Sequence, residues 1–166
     1  VGLVGEPAAR ASQPLLSELY YIERALAPRA EIRQGSVAEL IAGEVSAIVL
    51  PDGAEASSGG REGLGAWVEK GGVLLRFAGP RLANADDDLV PVQLRRGDRN
   101  LDGAMSWARP LALTQFEDGG PLADLEVPEG DVVVHRQVLA QPGPELAART
   151  WARLADGTPL ITGAPR

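Results

Sequence analysis

No cysteine occurs anywhere in the 166 residues, which removes disulfides, zinc–thiolate centres and thiol nucleophiles from consideration at once. Aromatic side chains make up only 4% of the chain, so Ala, Val and Leu must fill its core. Lysine is represented by Lys70 alone and histidine by His135 alone; the remaining positive charge is scattered arginine. With a formal net charge of -7, the chain lacks the clustered cations that phosphate neutralisation requires, which argues against a general nucleic-acid binder. No apolar run approaches the ~20 residues of a membrane span, so this segment is not expected to insert into a bilayer. No signal peptide is visible. The missing initiator Met, and an end at Pro165-Arg166 straight after an apolar stretch, suggest a fragment of a longer chain whose anchor would lie outside it.

What is present suits a folded α/β domain. The apolar share of 45% and charged share of 23% are ordinary for a globular chain, and this length can bury a sizeable core. Val1 to Glu6 reads as a short buried strand. Ser12 then caps a helix with Pro14 in its first turn and Leu15, Leu19, Ile22 and Leu26 at helical spacing, until Pro28 stops it. Ala30 to Arg33 reads as a second strand, and Ser36 caps a helix carrying Val37, Leu40 and Ile41. The uninterrupted run Ala47-Ile48-Val49-Leu50 has the character of a central parallel strand covered on both faces. A helix with Leu64, Trp67 and Val68 inward ends at Gly71 as a left-handed cap, and Val73 to Phe77 forms a fourth strand.

That alternation predicts a flavodoxin-like three-layer sandwich with a mostly parallel central sheet over residues 1–80. Residues 81–166 hold most of the prolines and many of the β-branched residues, and predict antiparallel additions to the same sheet within one domain. Val90 to Leu94, Leu111 to Phe116 and Val132 to Leu139 are strand-like, and Pro144 to Arg149 is a short helix. Trp151 to Leu154 and Pro159 to Thr162 flank Asp156-Gly157, a strong hairpin signal.

The segment Ile48-Val49-Leu50-Pro51-Asp52, followed by Leu64-x-x-Trp67-Val68-x-x-Gly71-Gly72-x-Leu74-Leu75, resembles class I glutamine amidotransferase-like domains, including their non-catalytic relatives. Leu139-Ala140 and Ala152 to Ile161 are similar to the closing strands of those relatives. The whole chain is similar to the middle portion of a bacterial membrane-protein family with an N-terminal double-transmembrane, aerotolerance-regulator-like segment. In active amidotransferases the fourth strand turns through a Gly-x-Cys-x-Gly elbow, completed by a His and a Glu. Matching Gly79 to the last elbow glycine places Phe77 at the cysteine position, and no His-x-Glu follows. The resemblance therefore implies a scaffold without the thiolate and imidazole that amide attack requires, with Phe77 filling the pocket as apolar bulk. It also implies a soluble domain of a membrane-anchored bacterial protein, on the periplasmic or the cytoplasmic face. Its partners would be other domains of the same chain or membrane complex, or a second copy; no cofactor is implied.

Four residues mark the expected ligand crevice: Glu6, Asp52, Phe77 and Gly79, all at or just after strand ends. Glu6 and Asp52 also define the alternative, a carboxylate- or metal-dependent hydrolase; the plainer reading makes Asp52 a turn residue bonding backbone amides. His135 has no Ser or Cys beside it in sequence and reads as an ordinary strand residue. Asp86-Asp87-Asp88 lacks the spacing of a calcium loop and reads as a solvated acidic turn. Arg96-Gly97-Asp98 reads as a hairpin turn. Gly2 to Glu6 lacks the glycine spacing of a phosphate loop. Trp67 is expected to pack on the sheet, whereas Trp107 and Trp151 suit either packing or stacking on a ligand.

Overall fold

The computed structural model describes residues 1–5, 17, 19–52, 54, 58–85, 87–96, 104–128 and 132–166. The chain divides into two compact units, Val1–Phe77 together with Arg166, and Ala78–Pro165.

The first unit is built on four parallel strands: β1 (Gly2–Val4), β2 (Arg33–Gly35), β3 (Ala47–Leu50) and β4 (Val73–Arg76), in the order β2-β1-β3-β4. Three helices alternate with them: α1 (Tyr20–Leu26), α2 (Val37–Ala42) and α3 (Ser58–Glu69). The apolar run 47–50 forms β3 over its expected length; it is flanked by β1 and β4, and Ile48, Val49 and Leu50 are almost wholly buried. On one sheet face Leu3 and Val49 cluster with Leu19, which precedes α1, and Ile22 and Leu26 of α1 pack against that cluster. The expected Ser12 cap and Pro14 lie outside the described residues. On the other face, α2 presents Leu40, whose methyl lies 2.9 Å from where a Cβ on Gly2 would stand.

Two helix ends explain their own sequences. At the start of α2, Ser36 accepts from the Glu39 amide at 3.3 Å while its own amide donates to the Glu39 carboxylate at 2.8 Å, a reciprocal capping box. At the end of α3, the Gly71 amide donates to the Val68 carbonyl at 2.9 Å and the Gly72 amide to the Trp67 carbonyl at 3.1 Å, the Schellman pattern. Gly71 has φ 98°, which a side chain resists. Gly72 is required for a different reason: a Cβ there would run into the Trp67 indole, which lies across it.

The second unit holds α4 (Pro80–Asn84), β5 (Ala104–Phe116), β6 (Val133–Val138), α5 (Leu146–Arg149), β7 (Thr150–Leu154) and β8 (Pro159–Thr162). Its strands form an antiparallel sheet of their own in the order β6-β5-β7-β8. The expectation that these strands extend the parallel sheet is therefore corrected: among the described residues they pair only with one another. The physical reason lies in β5. Its longer first part, from Ala104 to Ala112, pairs with β6, and its last four residues, from Leu113 to Phe116, pair with β7, so it serves as the centre of a separate sheet.

An irregularity between Ser106 and Leu111 marks the passage through Arg109 and Pro110. The Asp156-Gly157 hairpin forms as expected, with Gly157 at φ 84° and the Thr158 amide donating to the Asp156 carboxylate at 2.9 Å. Of the expected strand Val90 to Leu94, only Leu94 pairs, in an isolated bridge to Ala140. Trp151 sits on Gly163 as Trp67 does on Gly72, with no room for a Cβ. Arg153 pairs with Glu117, both about 29% exposed, and also donates to the Gly157 carbonyl at 3.2 Å.

Candidate functional site

In a parallel sheet the side chains and loops at the carboxyl ends of the strands line a crevice where neighbouring connections leave in opposite directions. In the order β2-β1-β3-β4 the chain runs outward from β1 to β2 and then returns to β3 on the other side, so the switch point falls between β1 and β3. β1 leaves through Gly5, at φ 140°. Glu6, expected at this point, lies outside the described residues. β3 leaves through Pro51, whose carbonyl accepts from the Ala54 amide at 3.0 Å and closes a turn around Asp52. Asp52 is half-buried and already has a polar or electrostatic partner.

Phe77 follows β4 and extends its ladder by one step, its amide donating to the Leu50 carbonyl at 3.1 Å. Asp52 and Phe77 therefore follow adjacent strands of the same sheet. The expectation that Phe77 fills a pocket is corrected: it is 46% exposed. The reason is positional. Along one row of the sheet Leu3 pairs with Val49 and Val49 with Leu75, and exposure rises from 0% through 3% to 47%. Packing from the α1 side closes over Leu3 and Val49 and has run out at β4. Side chains two apart on a strand share a face, so Val73, Leu75 and Phe77 form one exposed apolar stripe, with Val73 at 62%.

Gly79 lies in the second unit, where it is the N-cap of α4 in an extended conformation and its carbonyl accepts from the Ala83 amide at 3.0 Å. His135 is exposed in β6. Asp87 accepts from the Leu89 amide at 2.9 Å, as a turn aspartate does, while Asp86 lies outside the described residues. Gly97 and Asp98 also lie outside them. Trp67 and Trp151 are each committed to a glycine seat, and Trp107 lies at the irregular step of β5, half-buried. Among the described residues no group of three or more His, Asp or Glu side chains is placed to hold a metal ion.

The residues that sequence reasoning missed are Val73 and Leu75. Both stand in the segment Val73 to Phe77 that reads as an apolar strand, yet which face stays uncovered depends on how far packing from the α1 side reaches across the sheet, which is not written locally. No helix among the described residues is long and apolar enough to cross a membrane. Compared with protein families, with curated proteins and with solved structures, the chain matches none.

Proposed function

We propose that this chain is a non-enzymatic, amidotransferase-like module that binds a ligand or another protein domain within a membrane-anchored bacterial assembly. The observation that carries the reading is β4: at the position where the resemblance calls for a nucleophilic thiol stands Phe77, half-exposed and continuous with Val73 and Leu75. An apolar stripe of that kind suits contact with another surface and has no chemistry of its own. The strand order β2-β1-β3-β4, with α1 and Leu40 on opposite sheet faces, supports the flavodoxin-like three-layer scaffold on which the reading rests. Purified protein assayed for glutaminase, amidase and esterase turnover should show none. Turnover abolished by Glu6→Gln or Asp52→Asn would overturn the proposal in favour of a carboxylate-dependent hydrolase.

A second reading, self-association, is favoured by the place of the stripe on an edge strand, since sheet edges template pairing. Size-exclusion chromatography across a concentration series tests it. Self-association should be lost in Leu75→Ser and Phe77→Ser while circular dichroism stays unchanged, and a strictly monomeric wild-type protein would remove this reading.

A further inference from the structure

We draw no further inference here: the strongest candidate, the exposed apolar stripe of Val73, Leu75 and Phe77 on edge strand β4, belongs to the site already described, and nothing in the structure shows what covers it.

Discussion

The two units reach stability by different routes. In Val1–Phe77 the first three strands are each followed by a helix, and the buried set is aliphatic: Leu3, Leu19, Val37, Leu40, Val45, Ile48, Val49, Leu50 and Leu64. In Ala78–Pro165 the described buried apolar residues are fewer, namely Leu82, Ala83, Val138, Ala152 and Leu154. Side-chain polar contacts accompany them: Arg153 with Glu117, Arg149 with Glu145 at 2.6 Å within one helical turn, and buried Thr150 donating to the Leu146 carbonyl at 2.7 Å. Low aromatic content is thus accommodated in two ways. One unit packs a larger aliphatic set around its sheet, and the other sets a smaller apolar core beside a cross-strand pair of long side chains, Arg153 with Glu117. Each unit also lays one tryptophan on a glycine, Trp67 on Gly72 and Trp151 on Gly163.

The sharpest test of that contrast is truncation of one core leucine in each unit. Leu50→Ala, in a central strand with no exposure, should lower stability by about 3–5 kcal/mol, because close-packed neighbours on both sides limit collapse of the cavity. Leu154→Ala also empties a buried site, but Leu154 shares its face of β7 with the smaller Ala152 and Thr150 in the unit with fewer buried apolar residues, so the loss should be nearer ~2 kcal/mol. Urea unfolding, followed in variants that keep only Trp67 or only Trp151, reads each unit separately. A larger loss for Leu154→Ala would break the comparison.

The tryptophan seats come next. Gly72→Ala and Gly163→Ala should each cost about 1–3 kcal/mol by overpacking. Adding Trp67→Leu or Trp151→Leu to the matching glycine variant should recover part of that loss in a double-mutant cycle, and additive effects would show that the indoles are not the obstacle. Arg153→Ala should cost about 1 kcal/mol, since the pair with Glu117 is partly screened by solvent. Thermal unfolding of Arg153→Ala, Glu117→Ala and the double variant would reveal their coupling.

The smallest effect is a pH dependence at the α2 cap. The Ser36 backbone amide, and then its hydroxyl, hold the Glu39 carboxyl below its ordinary value of 4.5. A group depressed in the folded state stabilises it above the unfolded pKa and loses that contribution as pH falls through the folded one. The stability difference between the protein and Glu39→Gln should therefore be present near neutral pH and shrink as pH drops below about 4.5. A difference that stays constant through that range would show that the carboxylate charge plays no part in the cap.

How much of this was legible in the sequence follows how local each cause is. The run Ala47 to Leu50, the Ser36 cap, the Gly71 helix end and the Asp156-Gly157 hairpin were all readable, because each is decided within a few residues. The second strand was expected at Ala30 to Arg33 but forms at Arg33–Gly35, where Gln34 and Gly35 bear no hydrophobic signature and pairing to β1 sets the register. The short helix Pro80–Asn84 was not anticipated. Nor was the full length of β5, whose pattern is masked by Arg109 and Pro110. The separation into two sheets depends on pairings far apart in sequence, such as Phe116 with Ala152, which no local pattern declares. At the site, the strand ends carrying Asp52 and Phe77 were foreseen, whereas the exposure of Phe77 was not, because it depends on how far packing over the α1 face extends across the sheet.

The shape of β5 also bears on how the protein is made. Its thirteen residues emerge from synthesis before either flanking strand, since β6 begins at Val133 and β7 at Thr150. Until both have arrived, a long strand carries two rows of unsatisfied amides and carbonyls, the condition under which nascent chains join the wrong partner. Pro110 and Arg109, near its middle, remove one donor and add one charge at the irregular step between Ser106 and Leu111, features that disfavour mispairing along such a strand.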